Sequence, residues 1–355
     1  MFLIDLLEYK TGMRYVSEEI LKLSDDCRLL LVGFGATNPD AIAKLEALWA
    51  KKSSNKNWRI GRSEEDTLAI KAEEFGGAIT LVDLDNSTVL ADIYASVPVG
   101  LAFDDKREQL YVSSEFNVRC FRKGMFIKEL NNNLFNCVQI IKQSRYSDSL
   151  YVVCTGVDAI VQINPNFPEK KLFTWLATEN GYPFDADGNK RIINPDKSYQ
   201  FLDVGGTRRH TTHVNCVEEL DKDTLLATLF HQGELIKINK KTLETTVVIN
   251  GLRSPHGIHK IKDGYIVSNT RGNNVLLLDK DLNVTKTIEH NDFNWVHDAI
   301  QIGKQLFVAN TNGGEIKIYN EDLIEIKNLK HNAKQRKISV LYCITGRQAK
   351  IAFCK

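Results

Sequence analysis

Eight histidines are spread through the chain, and three of them recur at similar places in a repeating pattern: His213 in HTTHVN, His256 in SPHGI and His297 in NWVHDA. His256 and His297 each stand 9 residues before a strand-like run, the runs beginning at Tyr265 and Leu306. His213 stands 12 residues before the matching run at Leu225, and the turn ELDKDT is expected to absorb the extra three. Neutral imidazole nitrogens that converge from neighbouring elements are what a divalent transition metal takes, at ~2.1 Å and with positions left for water or substrate. The same convergence serves acid–base chemistry on a bound molecule. His213, His256 and His297 are therefore expected to be metal ligands, with the identity of the metal left open. Around them, His210, Arg209, His231 and Arg271 are the candidates for catalytic and substrate-holding roles. Arg208 and Arg209 suit an anionic substrate group, because a guanidinium presents a fork of donors. Asp298, next to His297, is placed to orient a ligand imidazole. His259, His290 and His331 read as surface or strand residues with no assigned role.

The elements that carry these residues repeat. Strand-like runs begin at Leu110, Leu150, Leu225, Tyr265 and Leu306, spaced 40, 75, 40 and 41 residues apart. The long step is one period plus an insertion of 35. Each run is followed 8 to 10 residues later by an alternating strand ending in a polar residue, such as Leu235-Ile-Lys-Ile-Asn or Ile316-Lys-Ile-Tyr-Asn. A period of this length with about four short strands per unit is the mark of propeller blades, which stack because none can bury its apolar faces alone. In such a fold the innermost strands line a central channel, and the histidines crowd one mouth of it. The fold class expected is all-β, a single β-propeller over residues 1–355.

Two insertions interrupt the pattern. In the first blade, Leu29-Leu-Leu-Val-Gly-Phe-Gly and Ile79-Thr-Leu-Val-Asp-Leu-Asp are separated by residues 36–76, which hold two helix-start signals, Asn38-Pro39 and Ser63-Glu-Glu-Asp. A helical insertion is expected there, with a protein-docking surface as one use for it. Residues 177–209 are rich in Gly and Pro and read as a long loop that covers a substrate. Within it Asp185-Ala-Asp-Gly-Asn189 reads as a turn, because its glycine is misplaced for a calcium loop. At the C-terminus, Leu341-Tyr-Cys-Ile-Thr-Gly and Ile351-Ala-Phe-Cys look like half a blade, which the opening MFLIDLL could complete. This count favours seven blades; six results if the tail wraps the outside.

Composition excludes some classes. Lys plus Arg is 46 and Asp plus Glu is 45, so no net charge favours nucleic acid or an anionic membrane. No apolar run is long enough to span a bilayer, and the first residues lack a basic start and a cleavage site. Seven cysteines without a CxxC pair suit reduced thiols. A cytoplasmic chain acting on a small molecule, without a nucleic-acid or membrane partner, is the expectation.

Residues 205–330 resemble propellers of the NHL and YVTN kind. SPHGI followed by DGYIVSNT is similar to the blade openings of streptogramin B lyase-like proteins, which implies a channel histidine with a divalent metal. HVNCVE and WVHDAIQI are similar to blade starts of arylsulfate sulfotransferase-like proteins, which implies histidine-catalysed group transfer. The four-histidine iron centre of carotenoid oxygenases is similar in arrangement only. The function expected is a metal-dependent enzyme, lyase or hydrolase first. The alternative is a non-catalytic scaffold binding a protein, a peptide or, through Trp175, Tyr182, Phe184 and Trp295, a sugar.

Overall fold

The computed structural model describes residues 14–44, 47 and 72–354. Its strands form six antiparallel sheets arranged as the blades of a propeller. Five blades each take four consecutive strands. They are β5–β8 (Leu101–Leu130), β9–β12 (Val138–Leu176), β13–β16 (Val214–Ile249), β17–β20 (Ile258–Glu289) and β21–β24 (Val296–Lys330). The second and third strands of these blades are the runs that the 40-residue period marks in the sequence. They bury both faces: Leu150–Cys154 is buried at all 5 positions, because each blade packs between two others.

The remaining blade closes the ring. Its second and third strands are β2 (Arg28–Ala36) and β3 (Ala78–Asp83), its fourth is β4 (Thr88–Tyr94), and β1 (Arg14–Val16) adds an outer edge. Its innermost strand is β25 (Lys337–Thr345), from the far end of the chain, paired antiparallel with β2 from Arg28↔Thr345 to Ala36↔Lys337. This corrects the seven-blade expectation: the propeller has six. Leu341–Thr345 completes the first blade instead of starting another. Ile351-Ala-Phe-Cys is not a strand either, since most of it lies in helix α2 (Gly346–Phe353). Thr345 and Gln348 form a reciprocal capping box at the start of that helix. The proposed partner strand, MFLIDLL, lies outside the described residues.

The start of the first insertion follows its sequence signal. Asn38 Oδ1 accepts the Asp40 N–H at 3.1 Å, residues 39–44 are helical, and α1 (Ala72–Phe75) closes the loop through Thr37 and Asn38 N–H groups donated to the Phe75 carbonyl. Most of the expected helical hairpin, including the signal at Ser63, lies outside the described residues. Among the described residues no helix is long and apolar enough to cross a membrane.

Neighbouring blades are stitched near the channel by buried hydroxyls. Thr155 Oγ1 donates to the Val214 carbonyl at 2.7 Å, Thr228 Oγ1 to His256 at 2.6 Å, and Thr311 Oγ1 to Ile338 at 3.0 Å. Ser339 Oγ lies within reach of the Gly33 and Pro98 carbonyls. The three threonine bonds satisfy carbonyls at the starts of inner strands. Closure by β25 makes a direct prediction. A chain ending at residue 336 leaves β2 without an inner neighbour and exposes Leu30 and Val32. Its thermal unfolding followed by near-ultraviolet circular dichroism should lose cooperativity; a sharp transition like that of the full chain would contradict this closure.

Candidate functional site

The starts of the innermost strands and the turns between second and third strands share one face of the propeller. Both insertions leave from that face. A residue in the left-handed region recurs at the starts of five of the six inner strands: Val97, Cys137, His213, Ser254 and Trp295. Another recurs in the turns of four successive blades, as Asp158, Gly233, Asn273 and Gly314. Asp, Asn and Gly are the residues that tolerate this backbone, so the turn position is legible once aligned.

This register corrects the histidine alignment. His213 is the counterpart of Ser254 and Trp295, whereas His256 and His297 lie two residues further on. The true counterpart of His256 and His297 is Asn215. Strand pairing agrees: Cys216 stands opposite Thr228, Asp298 opposite Ala309, and the Ser268 N–H donates to Gly257. The three extra residues before Leu225 are therefore not absorbed wholly by the turn.

The imidazoles divide accordingly into two groups. His256 and His297 are in contact, with ring centroids 4.3 Å apart. His213 stacks on His210, with centroids 5.0 Å and planes 15° apart and Nδ1 atoms at 2.8 Å. The Phe230 ring touches both groups, 5.0 Å from His213 and 5.3 Å from His256. Among the described residues no three His, Cys, Asp or Glu side chains are disposed to hold one metal ion.

The His256–His297 pair has defined chemistry. His256 Nδ1 lies 3.1 Å from the Ser254 carbonyl and 2.9 Å from Thr270 Oγ1. A carbonyl only accepts, so Nδ1 carries the proton and Nε2 is left as the basic nitrogen. His297 hydrogen-bonds the Ser339 backbone, and its buried Nδ1 has no partner. Burial, and for His256 the neighbouring His297, hold both imidazoles below their ordinary pKa. Trp295 meets His256 at 5.7 Å, and the Arg271 guanidinium lies over the Trp295 ring at 5.3 Å.

The other group is organised by Asp158, which the sequence reading passes over. Its carboxylate accepts the N–H groups of Thr211, Thr212 and His213 at 2.7, 3.0 and 2.7 Å, and the Thr212 hydroxyl at 3.0 Å. Arg191 of the long loop pairs with it at 2.6 Å. Burial alone would raise its pKa, but His210, Arg191 and the N–H donors outweigh that and hold it below the usual range. This bonding stabilises the left-handed backbone at His213, which costs about 1–2 kcal/mol in a residue with a Cβ.

The remaining candidates tie down the loop over residues 177–209. His231 Nε2 donates to the Thr207 carbonyl at 2.7 Å. Arg208 pairs with Asp187, and Arg209 lies 4.0 Å from Asp185. Asp185 also accepts the Asp187 and Asn189 N–H groups at 2.9 Å, which makes Asp185–Asn189 the turn expected. Asn133 and Asn136 of the second-blade to third-blade connection donate to carbonyls of Pro195, Lys197, Tyr199 and Leu202, so the loop lies along the propeller face. The four aromatic candidates do not line one pocket. Trp175 is buried in the core with its Nε1 on Thr245, while Phe184 is exposed. His259 and Asp298 meet further along the channel, where His259 Nε2 lies 2.6 Å from Asp298 Oδ1; Asp298 thus serves His259 rather than His297. Burial pushes the Cys137 thiol up to about 12 and the Cys216 thiol up to about 11, away from the thiolate a nucleophile needs.

No family model and no curated protein matches this chain. Solved structures do. A protein of unknown function from Bacteroides caccae superposes with a TM-score of 0.54 at 12% identity, covering 75% of this chain and 94% of that one. A chain of a nidogen/laminin complex gives 0.53 at 10% identity, covering 90% and 98%. A putative 6-phosphogluconolactonase from Bacteroides uniformis gives 0.49 at 14% identity, covering 86% and 83%. Such identities show the fold alone. The chain is a six-bladed β-propeller, and the NHL and YVTN resemblance rests on its short motifs.

Two predictions follow from the Asp158 arrangement and its neighbour. Asp158→Asn removes the charge that faces Arg191 and should lower the unfolding free energy by ~3 kcal/mol in urea titrations; a loss under about 1 kcal/mol would show that the hub is dispensable. Burial pushes His210 down to about 4 from an ordinary 6.5. Between those values the unfolded chain binds the proton and the folded chain does not, so stability falls as pH is lowered through this window. At pH 5 His210 accounts for a loss of roughly 2 kcal/mol. Urea midpoints at pH 7 and pH 5 should differ less in His210→Asn than in the natural protein, and an equal difference would refute the assignment.

Proposed function

We propose that the channel mouth is an enzyme site for a small molecule, with His256 and His297 as its acid–base groups. The observation that carries this reading is the contact of two imidazoles, of which His297 Nδ1 is buried without a hydrogen-bond partner and His256, with its proton on Nδ1, keeps Nε2 as a basic nitrogen. One such nitrogen can take a proton from a substrate or a water, and its neighbour can return it to a leaving group. Lyase and hydrolase chemistry both use that pair of steps. Trp295 and Arg271 give the site an apolar wall and a cation, which suits a substrate with an anionic group. The loop over residues 177–209, held by Arg191, His231 and the Asn133 and Asn136 bonds, shields the neighbouring blades.

A divalent metal remains a form of the same reading, because unprotonated imidazole nitrogens are its natural donors. His256 and His297 are then the protein ligands, and His213 keeps a positioning role through His210. A non-catalytic scaffold has less in its favour, since a binding surface has no need of two buried basic nitrogens in contact.

The test combines elemental analysis of protein prepared without chelators with a thermal-shift screen of small carboxylates, phosphates and sulfates. His256→Gln and His297→Gln are carried alongside, because glutamine keeps one hydrogen bond and most of the volume. The screen should return a compound that is turned over by the natural protein, at a rate at least ~100-fold lower in each variant. Any bound transition metal should be lost from both. Turnover that survives both substitutions would overturn the reading.

A further inference from the structure

Beyond the histidine mouth, the inner strands enclose a second feature. A cavity of ≈ 200 Å³ lies further along the channel, walled by Leu101, Ile140, Ile300, Val340 and Tyr342, with Lys142, His259, Lys260 and Gln301 as its polar lining. A chain of ionisable groups crosses it. Lys142 Nζ lies 3.1 Å from Glu218 Oε2 and 2.8 Å from His259 Nδ1, and His259 Nε2 lies 2.6 Å from Asp298 Oδ1. Burial works against the Lys142 charge, but Glu218 chiefly restores it, so the ammonium donates to Nδ1 and His259 donates through Nε2.

Counting donors and acceptors around this chain shows an imbalance. Asp298 also accepts the Leu341 N–H at 2.8 Å and the Ala299 N–H at 3.0 Å. Glu218 also accepts the Lys260 N–H at 3.3 Å and the Glu219 N–H at 3.1 Å, and Arg145 lies 3.5 Å from it. Gln301 Oε1 accepts the Lys262 N–H at 2.8 Å. The carboxylate and carboxamide oxygens are therefore committed to protein donors. The polar side chains that line the cavity supply donors: the Lys142 ammonium, the ammonium of the exposed Lys260 and the Gln301 amide. A half-buried ammonium next to committed carboxylates favours a ligand that brings acceptors and negative charge. The aliphatic walls favour an apolar body on that ligand.

We infer that this cavity is a second ligand site, separate from the histidine mouth, for a small molecule that carries one carboxylate on a short apolar body. The experiment is isothermal titration of the full chain with butyrate and with its uncharged isostere butanamide. Butyrate should bind saturably, one per chain, and butanamide at least ~10-fold more weakly, as expected for a charge-assisted contact. The double variant Lys142→Met/Glu218→Gln removes both charges together and should weaken butyrate ~10-fold or more. Lys260→Ala changes only an exposed side chain, folds irrespective of the buried pair, and should also weaken it. His256→Gln should leave butyrate binding unchanged, which separates this site from the mouth. Absence of saturable binding, equal binding of butanamide, or binding that ignores Lys260→Ala and is lost in His256→Gln would overturn the inference.

Discussion

Ring closure is the constraint on which the rest of this structure depends. Five blades are built from consecutive strands, but the first must wait for β25, more than 300 residues beyond β2. Only when that strand is in place does every blade have two neighbours and every apolar face a partner. Closure also fixes the channel. Six inner strands then start at one face, so Asp158 meets the backbone of His213 and His256 meets His297 although the sequence separates the partners widely. The hydroxyl stitches from Thr155, Thr228 and Thr311 set the height of one blade against the next, and with it the level of the imidazoles.

Much of this was legible in the sequence, and the misses have physical causes. The 40-residue period survives because each middle strand must be apolar on both faces, whatever its loops contain. The interrupted first blade was legible for the same reason. The tail was not: Ile351-Ala-Phe-Cys is too short for its apolar residues to distinguish period 2 from period 3.6, and the Thr345/Gln348 capping box is the signal that decides it. His213 was placed with His256 and His297 because all three precede an inner strand. The left-handed residue at five of the six inner-strand starts, not the histidine, keeps the register, and backbone dihedrals leave little trace in residue type when His, Ser and Trp all occupy the position. Asp158 does not stand out in the sequence because an isolated Asp in a turn looks like a solvated side chain; aligned with Gly233, Asn273 and Gly314 it marks a left-handed site. Nothing in the sequence singles out Lys142 or Glu218, and His259 reads as a surface or strand residue; only the packing of neighbouring blades turns the three toward one another.

The two levels of the channel differ in kind. At the mouth, burial strips protons from imidazoles and leaves basic nitrogens. Further along, carboxylates are spent on backbone N–H groups and donors remain. Neighbouring positions on one strand serve the two levels, His297 meeting His256 and Asp298 meeting His259. A polar group on an inner strand thus has little choice of partner: it meets either the next blade's backbone or the next blade's side chain.

The central claim is that His256 and His297 meet as neutral imidazoles with unprotonated basic nitrogens. Long-range ¹H–¹⁵N correlation of the histidine rings, followed from pH 7.5 to 5, tests it most directly. The account predicts that His256 keeps the Nδ1–H tautomer and that neither ring protonates near its ordinary value of 6.5. Titration of either ring with a midpoint near 6.5, or an Nε2–H tautomer at His256, would contradict it.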